Sequence, residues 1–230
     1  MKPAFVLRRN NFRDHSLLLD LLTQDEGRIS AVARYSKKQA ARIKGMLEPF
    51  RLLDAAWVGR GEVFTLTQTE EKGRYRLQQG ALVQGFYLNE LFLRAFQAHE
   101  PIPELFQRYR EVLYLLQSGE NLPAVMLLEL ELLEACGYSL NLWHDDHAGF
   151  ELREALSYRF RPEVGLAMVD QVLAEPNDTL ISGNLLLALR APEQMTLSAW
   201  RELRVVLDRL WRVHLKGKTL YARQLIAGFS

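Results

Sequence analysis

An α+β fold is predicted for this 230-residue chain: a small β-barrel or sandwich in residues 1–80, then a mainly α-helical domain in residues 81–230. Three observations carry it. Before residue 80 the apolar residues come in short runs, many of them β-branched or aromatic, separated by turns that contain glycine. After residue 80 they recur at intervals of three and four, the period of one helix face. The composition, 48% apolar and 25% charged, is that of a globular protein long enough to bury a core.

Residues 4–7 form an apolar run closed by Arg8 and Arg9, which reads as a first strand. Residues 16–23 are nearly continuous leucine and fit either a buried strand or a short helix. The turn at Gln24, Asp25, Glu26 and Gly27, followed by alternating Ile29, Ala31 and Ala33, favours a hairpin. Residues 46–58, a turn at Gly59, Arg60 and Gly61, and residues 63–69 supply the remaining strands. Beyond them Leu82, Phe86, Asn89, Leu93 and Phe96 mark one helix face. A second helix starts at Pro101 and carries Leu105, Tyr109, Val112 and Leu116 on one side. A third runs over residues 123–136, with Gly137 placed to cap it. Residues 139–180 are less regular and read as an insertion, with a small hairpin at residues 157–165. Helical spacing returns at Leu185 and Leu189, and again at Leu197, Trp200, Leu203, Leu207 and Leu210.

The net charge of +1 conceals an asymmetry. Residues 1–80 carry 15 Lys and Arg against 9 Asp and Glu, residues 81–200 carry 7 against 17, and residues 201–230 carry 7 against 2. Polyanion binding is therefore expected on particular faces, with the acidic middle suited to partner proteins. The densest basic stretch, residues 34–44, holds Arg34, Lys37, Lys38, Arg42 and Lys44 beside Tyr35, and no acid. Such charges resist burial, so an exposed loop or edge is expected there. Cations with an aromatic among them suit nucleic acid, the phosphates neutralised and a base stacked on Tyr35, with Phe12 as a second platform. Taken alone, the stretch is equally compatible with a solvated loop of no special role.

Cys136 is the only cysteine, which excludes an internal disulfide and any multi-cysteine metal site; its apolar helical setting reads as a buried thiol. No apolar run has transmembrane length or the form of a secretory signal, so a cytoplasmic protein with no membrane partner is expected. His144, Asp145, Asp146 and His147 form the one cluster resembling a metal site, but geometry and further ligands are wanting, and a polar loop is the plainer reading. Gly217, Lys218 and Thr219 imitate the end of a phosphate-binding loop, yet Arg212 stands where that motif needs glycine. With no nucleophile elbow either, no enzyme, resident metal or cofactor is expected. The C-terminal helix spreads Arg201, Arg204, Arg209 and Arg212 around a leucine and tryptophan face; it reads as an amphipathic core helix whose basic side is open to DNA or an acidic peptide.

Several motifs resemble the RecO family. They are Leu19-Asp20-Leu21-Leu22-Thr23, Glu26-Gly27-Arg28, Ala33-Arg34, Gly45-Met46-Leu47-Glu48-Pro49-Phe50 and Gly59-Arg60-Gly61-Glu62 in the first half. Tyr87-Leu88-Asn89-Glu90-Leu91, His99-Glu100-Pro101, Glu129-Leu130-Glu131-Leu132-Leu133 with Gly137-Tyr138, Gly217-Lys218 and Arg223-Gln224-Leu225 follow in the family's order. The resemblance implies an OB-fold over residues 1–80, ahead of the helical domain; the basic stretch itself supplies Arg34, Tyr35, Lys37, Lys38, Arg42 and Lys44 as the expected DNA-binding set. It further implies a recombination mediator in DNA repair that binds single- and double-stranded DNA, anneals complementary strands and, with RecR, helps load RecA onto DNA covered by single-strand-binding protein.

Three departures stand out. The four zinc-binding cysteines that many relatives carry after the central helix are missing, Tyr35 stands where relatives usually have glycine, and Met126 and Leu127 occupy positions where some relatives have a basic pair for the acidic tail of single-strand-binding protein. Contact with that tail then requires a cation from elsewhere, and Arg201 and Arg204 are the candidates. The rival readings are a helical interaction adaptor without direct DNA binding and a metal-dependent hydrolase built on His144.

Overall fold

The computed structural model describes residues 1–171, 173 and 175–226; residues 227–230, the end of the expected helical domain, lie outside the described residues. Strands β1 (Lys2–Asn11), β2 (Ser16–Thr23) and β3 (Gly27–Arg34) form an antiparallel meander, and β4 (Arg51–Val58) pairs with β5 (Val63–Arg74) as a hairpin. Closure comes from β4 lying antiparallel to β1 and from three parallel pairs between β3 and β5, Ser30 with Val63, Ala31 with Phe64 and Val32 with Thr65. This strand order, β1-β2-β3-β5-β4, makes the barrel OB-like.

Alternation explains the closure. Ile29, Ala31 and Ala33 of β3 point into the barrel with Leu17, Leu19 and Leu21 of β2, while Arg28, Ser30 and Val32 face outward. β2 is buried on both faces, which is why it lacks alternation and could be mistaken for a helix. Between Val6 and Arg8 the register of β1 shifts by one residue, and the carbonyl of the extra residue, Leu7, accepts a 2.7 Å hydrogen bond from the Asn89 amide. Gly27 closes the β2–β3 turn at φ +64°, where an added Cβ would stand 1.9 Å from the Glu100 carbonyl oxygen, so only glycine fits.

Residues 34–44 are not the loop expected. A short 3-10 turn (Lys37–Gln39) leads into helix α1 (Ala40–Met46). The Ser36 hydroxyl and amide both donate to Gln39 Oε1, at 2.9 and 3.3 Å. Ala40, Ile43 and Met46 then turn one face onto the barrel core. The apolar stripe is short and lies among cations, so charge counting hides it.

Helices α2 (Gln79–Ala95) and α3 (Pro103–Leu116) pack with the barrel. The face expected on α3 is the buried one, whereas that of α2 is partly rotated: Asn89 and Phe96 of the expected face are buried, but Phe86 is 43% exposed and Ala81, Gln84, Tyr87, Leu88, Leu91 and Phe92 complete the buried side. One compact unit comprises Met1–Leu128 with the segment from Leu220, and the other is Glu129–Thr219, so the compact units do not divide at residue 80.

The boundary between the units falls within α4 (Leu122–Ala135). Gly137, at φ +88°, ends that helix in a Schellman motif, in which the Tyr138 amide reaches the Leu133 carbonyl and the Gly137 amide that of Glu134. Cys136 beside it is half-buried rather than fully buried as expected. In the second unit β6 (Ser157–Arg161) pairs with β7 (Gly165–Met168), the hairpin expected, and on its other edge with β8 (Thr179–Ser182). Helices α5 (Gly183–Ala188) and α6 (Leu197–His214) follow, capped by Ser182 and Thr196, whose hydroxyls accept from the amides of Leu185 and Ala199.

Candidate nucleic-acid interface

The first unit gathers exposed cations at one end of β3. Arg34, the last residue of β3, pairs with Ser16, and the Tyr35 amide donates to the His15 carbonyl at 3.0 Å. The β1–β2 turn, residues 12–15, therefore lies beside the start of the basic segment. In that turn Phe12 is 36% exposed, and the guanidinium of Arg13 stacks on its ring, 5.2 Å from the centroid. Arg13, Arg34, Lys37, Lys38 and Arg42 are all exposed, and among the described residues none of them forms an ion pair with a carboxylate. Cations left unneutralised in this way attract a polyanion.

The other expected residues are placed differently. Tyr35 is 8% exposed and its ring packs in the barrel core beside Leu47 and Ala33, so it is no platform for a base. Half-buried Lys44 lays its ammonium over that ring, 5.5 Å from the centroid, and its carbonyl accepts from Arg9 Nη1 at 2.5 Å. Both residues anchor the segment; its four exposed cations are what it presents. Arg13 escaped the sequence reading because Asp14 follows it and cancels it in a charge count, although its place beside Phe12 in a turn was the available signal.

On the outer face of β2 and β3, the Asp20 carboxylate is buried and takes a 2.7 Å hydrogen bond from Arg8 and a 3.0 Å one from Ser30, with Arg28 at 4.0 Å. One acid between two guanidinia leaves that face net positive. At the far end of the hairpin Lys2 donates to the Glu26 carboxylate, which also accepts from Trp57 Nε1 at 3.2 Å; the Lys2 bond is the main cause that holds Glu26 below the usual carboxylate range.

In the second unit the two candidate arginines part company. Arg201 is exposed. Arg204 is 5% exposed and grips the fully buried Glu129 carboxylate with both terminal nitrogens, at 2.6 and 3.0 Å. It is therefore a core residue, and the expectation that it meets a partner does not hold. The His144 cluster also resolves into loop structure. Asp145 accepts from the amides of His147, Ala148 and Met168, and Asp146 from the amide of Leu166, at 2.6–2.8 Å. These carboxylates stitch the loop to β7, and among the described residues no three potential ligands converge on a metal position.

Two family profiles match in tandem: Recombination protein O N terminal over residues 1–86 and Recombination protein O C terminal over residues 80–220. The chain belongs to the RecO family. Relatives agree along its whole length. The DNA repair protein RecO of Methylococcus capsulatus is 38% identical, across 99% of this chain and 93% of its own. That of Halorhodospira halophila is 37% identical over 97% and 95%, and that of Actinobacillus succinogenes 36% identical over 97% and 94%. Membership places the chain among proteins of recombinational DNA repair. Among the described residues no helix is long and apolar enough to cross a membrane.

Proposed function

We propose that this chain is a non-enzymatic recombination mediator that binds single- and double-stranded DNA, anneals complementary strands and, with RecR, helps load RecA. The observation that carries this reading is the group of exposed, unneutralised cations Arg13, Arg34, Lys37, Lys38 and Arg42 around the β1–β2 turn and α1. Their role is electrostatic: they neutralise phosphates on DNA and lower the repulsion between strands, while Phe12 offers an exposed ring to a base. Contact with the acidic tail of single-strand-binding protein rests on Arg201, which lies one turn from each of the exposed apolar residues Leu197 and Val205 on α6. The rival reading, an adaptor without direct DNA binding, has the same acidic middle in its favour.

A salt titration separates them. Each phosphate contact to single-stranded DNA contributes roughly −0.7 to the slope of log affinity against log salt. Lys37→Ala with Lys38→Ala makes the slope shallower by about 1.4 if both lysines engage. The adaptor reading expects no change, and a double variant that binds and anneals like the parent at every salt concentration removes this segment from the interface.

A further inference from the structure

The first unit carries another feature outside the basic segment, an open groove of about 530 Å³ along the outer side of α3. That size lies within the ~300–1,000 Å³ of ordinary ligand sites. Tyr75, Arg108, Arg110, Glu111, Tyr114 and Leu115 line it. Tyr114 is 69% exposed on the outer side of α3, while Tyr109 and Phe106 fill its inward side, so the Tyr114 ring is open to a ligand in the groove. Arg110 is exposed and donates from Nε to the Tyr75 phenol oxygen at 3.3 Å, and the guanidinium has further N–H donors besides that one. Arg108 pairs with Glu111, so the lone acid in the lining is already matched. Next to Tyr75, exposed Arg76 is held at the end of the helix because its amide donates to the Gln117 side chain at 3.3 Å.

We infer that this groove is a second subsite for single-stranded DNA, with a base stacked on Tyr114 and phosphate met by Arg110 and Arg76. The inference rests on the annealing activity proposed above, because joining two strands is easier for a protein that holds each on its own surface. The chemistry favours nucleic acid over an acidic peptide. A peptide groove needs apolar pockets for side chains, and here Leu115 is the one aliphatic lining residue. Ring faces interleaved with guanidinium groups suit bases and phosphates of any sequence.

The probe is a fluorescein-labelled oligothymidylate, bound to the full chain at several salt concentrations and followed by an annealing assay with complementary strands. The Arg110→Gln, Tyr114→Ala double variant is expected to bind about 10-fold more weakly, with a slope shallower by about 0.7 and slower annealing. Tyr114→Phe, which keeps the ring, retains the parent's affinity. The same losses appear in a background already carrying Lys37→Ala and Lys38→Ala. As a check independent of stability, a photoreactive benzoylphenylalanine in place of Tyr114 crosslinks to the labelled strand. A groove variant that binds and anneals like the parent overturns the inference while the basic-segment reading stands. A parent that binds no oligothymidylate overturns both. Loss of binding to a labelled polyglutamate peptide, with DNA binding unchanged, marks the groove as a protein-docking surface and also overturns it.

Discussion

Alanine at Arg204 and at Arg201, three residues apart on the same helix, has very different consequences. Arg204 delivers two hydrogen bonds to Glu129, at 2.6 and 3.0 Å, and a third contact at 2.9 Å to Asp208, while the Trp211 indole N–H meets the same Glu129 carboxylate at 3.0 Å. Glu129 is fully buried. Arg204→Ala removes the bidentate guanidinium from a carboxylate that has no exposure to water, and truncating one partner of a buried pair costs about 3–5 kcal/mol. Against a total stability on the order of 5–15 kcal/mol, such a loss lowers the melting temperature by roughly 10 °C. Arg201→Ala, at an exposed position, stays within about 0.5 kcal/mol of the parent. Replacing both buried partners, Glu129→Leu with Arg204→Met, costs less than Arg204→Ala alone, because no charge is then stranded. Urea unfolding followed by far-ultraviolet circular dichroism measures all three. A cost below about 1 kcal/mol for Arg204→Ala would refute the account of Arg204 as a core residue and restore it as a candidate for partner contact.

Further outcomes follow from the barrel unit. Tyr109 is fully buried, its phenol pushed well above the ordinary range by burial, and its hydroxyl donates to Asn89; Tyr109→Phe leaves that amide oxygen unmatched and costs about 1–3 kcal/mol in the same unfolding assay. Glu26→Gln weakens the link to Lys2 and Trp57, with only a small effect on stability at pH 7 since Lys2 is exposed and water screens the pair, as urea unfolding reads it. Because the folded-state pKa of Glu26 is depressed, that contribution is complete above the ordinary glutamate value of 4.5 and is lost as pH falls through the lower folded value, so parent and variant converge in acid. Tyr35→Leu keeps an apolar side chain in the barrel and is expected to leave affinity for single-stranded DNA unchanged; a drop of 10-fold or more, read by fluorescence anisotropy, would mean that the ring stacks on a base after all.

How much of this was legible in the sequence depends on whether a residue's role is local. The β2–β3 hairpin and its glycine turn, the inward face of α3, the Schellman cap at Gly137 and the β6–β7 hairpin were all readable, because periodicity and turn chemistry reside in neighbouring residues. The buried face of α2 was not. Phe86 carries the hydrophobic signal but is exposed, whereas Gln84, off the expected face, is buried because the Asn121 amide far along the chain pairs with it; Asn89 does lie on the buried side as expected, but its partners Leu7 and Tyr109 are equally distant in sequence. Arg204 was misassigned for the same reason: nothing in α6 itself reveals that Glu129, 75 residues earlier, faces it. Asp145 and Asp146 looked like ligands because a sequence shows carboxylates but not the amides they accept from.

The basic segment shows why the misplaced tyrosine strengthens rather than weakens the DNA-binding reading. A mobile loop of lysines loses conformational freedom when it meets phosphate, and each immobilised long side chain costs about 0.5–1.5 kcal/mol beyond the ordering of the backbone. Here the backbone is already ordered. Tyr35 and Leu47 are buried in the barrel core at its two ends, Ser36 and Gln39 close the first turn, and the Lys44 carbonyl is held by Arg9. Between these anchors Lys37, Lys38 and Arg42 project from a short helical platform whose underside is Ala40, Ile43 and Met46. Only the side chains remain to be ordered on binding. The apolar residues thus act on the cations indirectly, fixing where they stand.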